Sequence, residues 1–248
     1  MSGKSYAVFD IDGTLIRWQL YHALADSLVK ARVIDKQAYT TVLQARYNWK
    51  TRRSSNSFAD YEQSLVRLID RSLPGLDYQV FSDTCAFVFD RYQDQVYTFT
   101  RDLIAELRQR QYLIFALSAS PSELVSLVAN YYQFDDYGAS SYEVKDAKLT
   151  GAKQLLFGPA KRTKLKQLIS EHGASEQGSI ALGDSDGDIA MLELADRAIA
   201  FNPSRELLNV ALAKHWEVVI ERKNVVYRLE YRHGQYLLAP TDGRPTIV

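Results

Sequence analysis

Phe9-Asp10-Ile11-Asp12-Gly13-Thr14-Leu15 follows directly on a short apolar run, Tyr6 to Phe9. An apolar run of that length, halted by an acidic turn with a glycine, reads as a buried strand that delivers a loop. A second acidic stretch, Gly183-Asp184-Ser185-Asp186-Gly187-Asp188, ends another strand-like run, Ser179 to Leu182. In an open parallel sheet the carboxyl ends of the strands line the crevice where ligands bind. Carboxylates gathered there repel one another unless a cation neutralises them. With no cysteine or histidine cluster alongside, an all-oxygen donor set favours Mg²⁺. Turn-making and helix capping explain either stretch alone equally well; both together, at strand ends, point to a site.

Outward from these two stretches, strand and helix signals alternate. Thr100 to Gln109 reads as helix, Tyr112 to Leu117 as strand, and Pro121 to Tyr131 as a helix with proline near its first turn. Lys161 to His172 is helical and stops at Gly173; Gly187 to Ala195 is a helix, Ala198 to Phe201 a strand, and Ser204 to Lys214 a final helix. Tyr142–Val144 and Lys148–Thr150 flank a short turn and suggest a small hairpin. Between Ile16 and Asp94 the pattern differs: Leu20, Leu24 and Leu28, then Phe58, Tyr61, Leu65, Leu68 and Ile69, keep helical spacing, with Pro74 and Gly75 as the strong breakers. About four helices fit there. The expected fold class is α/β, a doubly wound parallel sheet with an inserted helical cap. The expected division is a core of 1–15 and 96–220, a helical insert of 16–95, and a C-terminal extension of 221–248. Alternation from Val225 to Ala239 around His233–Gly234 suggests a hairpin in that extension.

The 248 residues are 46% hydrophobic and 24% charged, which excludes disorder, collagen and coiled coil. Thirty Lys and Arg balance thirty Asp and Glu, which argues against nucleic acid as a partner and against anchoring on anionic lipid. No apolar run approaches the ~18–20 residues of a membrane helix, and no secretory signal is visible at the N-terminus. The single cysteine, Cys85, lies among apolar residues in Thr-Cys-Ala-Phe-Val-Phe, so it reads as core packing and fits a reducing compartment. A cytoplasmic protein is the expectation.

The motifs in order carry a resemblance. FDIDGTL near the N-terminus and GDSDGD late in the chain resemble the first and last signatures of the haloacid dehalogenase-like phosphatase superfamily. Ser118, ending YLIFALS, and Lys161, in Gly158-Pro159-Ala160-Lys161 with Leu165 four residues on, resemble its middle signatures. YEVKDAKLTG and NPSRELLNVALAKHW are similar to the phosphoserine-phosphatase-like branch, whose helical cap is inserted after the first strand. The resemblance spans roughly residues 5–220. It implies a Mg²⁺-dependent phosphomonoesterase in which Asp10 attacks phosphorus and forms an aspartyl-phosphate, and Asp12 protonates the leaving oxygen and later deprotonates water. It further implies Mg²⁺ on Asp10, the Asp12 carbonyl, Asp184 and Asp188, with Ser118 donating to phosphoryl oxygens and Lys161 offsetting negative charge.

Competing readings stand beside these. Ser118 can serve as a cap for the following helix, and Lys161 as one solvated lysine among several. Lys164 is the rival phosphate lysine and Asp186 the rival ligand; the branch's spacing favours Lys161 and Asp188. Gln19 stands where phosphoserine-specific members carry a glutamate that pairs with the substrate ammonium, and Ala119 stands where they carry glycine. The expected partner is therefore a small phosphorylated metabolite of unassigned organic part. The loop Lys50 to Asn56, basic and hydroxyl-rich, reads as a solvated connection before it reads as an anion contact. A phosphotransferase using the same intermediate and a phospho-ligand binding protein without turnover are the alternative functions.

Overall fold

The computed structural model describes residues 3–239. In chain order the elements are β1 (Ser5–Phe9), α1 (Leu20–Lys30), α2 (Thr40–Lys50), α3 (Ser57–Ser72), α4 (Tyr78–Tyr92), α5 (Thr98–Gln109), β2 (Leu113–Pro121), α6 (Ser122–Tyr131), β3 (Asp136–Lys145), β4 (Lys148–Gln154), α7 (Pro159–His172), β5 (Ser175–Gly183), α8 (Ile189–Leu192), β6 (Arg197–Phe201), α9 (Arg205–Lys214), β7 (Glu217–Arg222), β8 (Val225–Arg232) and β9 (Gln235–Leu238). They form two compact units. One holds residues 1–18, 92–140 and 155–248; the other holds Gln19–Arg91 and Ser141–Gln154.

The first unit is a doubly wound α/β core. Its strands lie in the order β3-β2-β1-β5-β6-β7, every neighbouring pair parallel. Tyr6, Ala7, Val8 and Phe9 of β1 are fully buried, which is why this central strand is apolar at four successive positions rather than at alternate ones. On one face Tyr6 and Val8 pack in a cluster with Leu165 and Leu168 of α7, Leu192 of α8 and Leu207 of α9. On the other, Phe9 meets the ring of Phe134 edge-on, and Phe201 of β6 stacks on Phe99 of α5. Strand order reverses between β1 and β5, which opens a crevice at their carboxyl ends.

Two expectations for this unit change. No strand is read in the sequence at Glu217–Arg222, yet β7 is a parallel strand of the sheet, and the boundary drawn at 221 falls inside it. β8 and β9 continue the sheet antiparallel from β7, joined at His233–Gly234, where both residues have positive φ as a tight two-residue hairpin turn requires. Residues 240–248 of the expected extension, and Met1 and Ser2, lie outside the described residues. The helix expected over Gly187 to Ala195 is also shorter. A single 3₁₀ turn, Asp186–Asp188, leads into α8 of four residues.

The second unit contains α1–α4, and α2 packs on α3 as a helical hairpin. Tyr61, Leu65 and Ile69 of α3 are buried at four-residue steps, and Cys85 is buried in α4. Arg46 ties the unit together. It makes a two-point pair with Asp26 (2.7 and 3.1 Å), donates to the hydroxyls of Tyr39 and Tyr61, and Trp49 stacks on Tyr61. The second half of β3 pairs antiparallel with β4 in this unit, Tyr142 opposite Lys153. The sequence reading put this hairpin in the core. Here Leu149 exchanges backbone hydrogen bonds with Gly75 and Leu76 (2.8 and 2.9 Å), which fixes it to the segment after α3. No described helix is long and apolar enough to cross a membrane.

Candidate active site

Asp10 is the first residue past β1, and its N–H donates to the Leu182 carbonyl of β5 at 3.0 Å. The register therefore sets it beside Gly183 and Asp184, at the point where strand order reverses. The chain then turns sharply. Gly13 has φ +86°, Leu15 and Ile16 donate to the Ile11 carbonyl (3.0 and 2.9 Å), and Thr100 donates to the Thr14 carbonyl at 2.7 Å.

Lys161 enters from the first turn of α7. That turn is placed by Gly158, whose φ/ψ of 56°/−123° suits glycine alone, and whose N–H donates to the Gly187 carbonyl at 3.1 Å. Pro159 follows, in the position where a helix spares an N–H. Lys161 Nζ donates to Asp10 Oδ1 at 2.7 Å and to Asp188 Oδ1 at 2.6 Å, and all three side chains are buried. Lys164 goes elsewhere, its chain lying along Gly138. Asp188 Oδ2 accepts from the N–H groups of Asp184 and Ser185 (3.1 and 3.0 Å) and from the Ser185 hydroxyl. Asp188 is thus anchored on both oxygens, while Asp186 is exposed.

Carboxylate oxygens of Asp10, Asp184 and Asp188 lie within 4.8 Å of one another. Burial, then the charge of Asp188, push Asp10 up to about 8, with Lys161 pulling in the opposite direction. Burial and then Asp10 also raise Asp184 well above the usual carboxylate range. Burial alone would lower Lys161; the charges of Asp10 and Asp188 outweigh it and hold the ammonium. Asp10 Oδ2 is buried without a hydrogen-bond partner in the protein. Three close hard-oxygen donors, one of them orphaned and buried, fit a small divalent cation, which would remove the repulsion that lifts both aspartates.

Asp12 belongs to a second polar group at the end of β2. Its Oδ2 accepts from the Ser118 hydroxyl at 2.7 Å and the Ser120 hydroxyl at 2.9 Å. Sequence reasoning expects Ser118 to donate to phosphoryl oxygens; in this structure its proton goes to Asp12. Ser120 was not singled out, although its separation of two from Ser118 on one strand was the available signal. Ala119 contributes its carbonyl to the Ser140 hydroxyl at 2.7 Å. In the other unit, residues 50–56 are exposed.

The profile of the haloacid dehalogenase-like hydrolases matches residues 7–193. Phosphoserine phosphatase SerB2 of Mycobacterium tuberculosis is 26% identical over 210 residues, covering 84% of this chain and 46% of that protein, so the chain spans about half of that relative's length. Among solved structures, a protein of unknown function from Bordetella pertussis superposes with a TM-score of 0.68 at 19% identity, over 88% of this chain and 99% of that one. A phosphoserine phosphatase solved as an analogue of its phospho-aspartyl intermediate gives 0.62 at 20% identity, over 89% and 95%. With three quarters of its length matched by the family profile, the chain belongs to the haloacid dehalogenase-like hydrolase family.

Proposed function

We propose that the chain is a Mg²⁺-dependent phosphatase that hydrolyses a small phosphorylated metabolite through an aspartyl-phosphate on Asp10. A carboxylate oxygen of Asp10 attacks phosphorus as the ester P–O bond breaks, and Asp12 gives its proton to the departing alkoxide. Water then attacks the acyl phosphate, Asp12 takes a proton from it, and inorganic phosphate leaves with Asp10 regenerated. Lys161 lies against the attacking carboxylate and offsets the charge that accumulates as the phosphoryl group arrives. Asp10, the Asp12 carbonyl, Asp184 and Asp188 are the groups that would hold Mg²⁺, which supplies neutralisation of the phosphoryl and carboxylate oxygens. In this reading the helical insert at 16–95 is the cap, and the balanced charge and single buried cysteine suit the cytoplasm.

The single observation that carries the reading is the state of Asp10: one oxygen held by Lys161 at 2.7 Å, the other buried without a protein partner at the strand-order reversal. A side chain held for stability alone would satisfy both oxygens. The named relatives support phosphate-ester chemistry, and Gln19 argues against an ammonium-bearing substrate such as phosphoserine, because an amide carries no charge to pair with it. The test is a Mg²⁺-supplemented phosphate-release screen across phosphorylated metabolites, phosphoserine included, with wild type and Asp10→Asn in parallel. Release by wild type and none by the variant is expected; equal release by both removes the proposed nucleophile.

A further inference from the structure

We infer that Ser120 is a positioning residue for Asp12, holding that carboxylate by its Oδ2 in the orientation from which it transfers a proton; the inference rests on the phosphatase reading above. Ser120 is 2% exposed and Ser118 is fully buried, so neither side chain faces bulk solvent. The Ser120 N–H donates to Ser118 Oγ at 2.9 Å, which occupies an acceptor lone pair there and leaves the Ser118 proton directed at Asp12 Oδ2. The Ser120 hydroxyl donates to that same oxygen at 2.9 Å. One serine would allow the carboxylate to swing about its bond to Cβ; two donors from one strand fix its plane.

The backbone that carries both serines is itself held in place. β2 pairs with β3 in register up to Leu117↔Gly138 and next at Pro121↔Ser140, so residues 118–120 sit in an irregularity of the ladder. The buried Ser140 hydroxyl donates to the Ala119 carbonyl at 2.7 Å and accepts from the Leu156 N–H at 3.0 Å, replacing the missing ladder bonds. A bulge at a strand end re-aims side chains. Here it turns two hydroxyls onto one carboxylate oxygen.

The test compares kcat/KM, which reports events up to departure of the leaving group, for an alkyl phosphate and for 4-nitrophenyl phosphate. An alkoxide needs the proton from Asp12; nitrophenolate leaves without it. Ser120→Ala should lower kcat/KM for the alkyl ester about 10- to 100-fold and for the aryl ester less than about 3-fold. Ser120→Thr, which keeps the hydroxyl, should restore the wild-type ratio. The ratio within one preparation is independent of the folded fraction, and Ser120→Cys, close to serine in volume, repeats the measurement if the alanine variant folds poorly. An unchanged ratio in the alanine and cysteine variants, or a threonine variant as skewed as alanine, overturns the role of Ser120 while leaving the phosphatase reading intact. Failure of the wild type to release phosphate from either ester and from every member of the metabolite panel overturns the phosphatase reading itself.

Discussion

Gly183 and Asp188 occupy the same space: a Cβ built on Gly183 would lie 2.4 Å from the Cβ of Asp188. The last residue of β5 must be glycine so that Asp188 can fold back, accept from the backbone behind it and reach Lys161. Gly183→Ala should displace Asp188, cost about 1–3 kcal/mol as overpacking, and lower the melting temperature by several degrees. Phosphate release should fall with it. A variant with wild-type melting and turnover would show that the loop relaxes without losing the carboxylate.

Lys161 carries the only compensating charge that the protein places between Asp10 and Asp188 among the described residues. Removing one partner from a buried ionic group leaves the others uncompensated and costs about 3–5 kcal/mol. Lys161→Met should therefore melt several degrees below wild type in EDTA and lose phosphate release by at least about 10²-fold. Differential scanning fluorimetry and a phosphate assay read the two effects. Wild-type turnover in Lys161→Met would remove the lysine from the proposed mechanism.

How far this site was legible in the sequence depended on whether a residue's neighbours were local. Asp10, Asp12, Asp184 and Asp188 sit in two short motifs at predictable strand ends, and Gly158-Pro159 announces the start of α7. Lys161 is favoured over Lys164 by motif spacing alone, and the Gly158–Gly187 contact, which joins residues far apart in sequence, shows how its turn is held. Ser120 was missed because its role depends on an irregularity between β2 and β3. The pairing resumes only at Pro121↔Ser140, beyond Gly138, where a side chain would strike Leu117 and Lys164. The hairpin of β3 and β4, which the sequence alone assigns to the core, docks elsewhere for a similar reason. Its own alternation shows a hairpin, but only the backbone bonds from Leu149 to Gly75 and Leu76 show where it docks.

Under the proposed mechanism, the acidic cluster makes phosphate release depend on a metal. Three carboxylate oxygens within 4.8 Å face one lysine, and burial with mutual repulsion raises Asp10 and Asp184, so a divalent cation is what would let all three ionise together. EDTA should abolish phosphate release and Mg²⁺ should restore it, whereas undiminished release in EDTA would contradict the assigned ligands.

His22 gives the helical unit a pH response of its own. It is 2% exposed, lies edge-on to Tyr61 at 4.8 Å, and is lowered to about 4 by burial and then by the charge of Arg46, against the pull of Asp26. The unfolded chain takes up the proton near 6.5 and the folded chain only near 4, so stability present above ~6.5 is lost as pH falls toward 4. The loss over that window is roughly 3 kcal/mol at 1.36 kcal/mol per unit. His22→Phe should flatten the melting temperature between pH 7 and 4 relative to wild type. Parallel profiles for the two proteins would refute the assignment.

The identity of the residue that becomes phosphorylated tests the whole account most directly. Acid quench of the protein during turnover of 4-nitrophenyl phosphate, followed by peptide mass analysis, locates the covalent phosphoryl group. The account predicts it on Asp10, with a burst of nitrophenolate in wild type and none in Asp10→Asn. Phosphate found on any other residue, or a burst that survives Asp10→Asn, would contradict it.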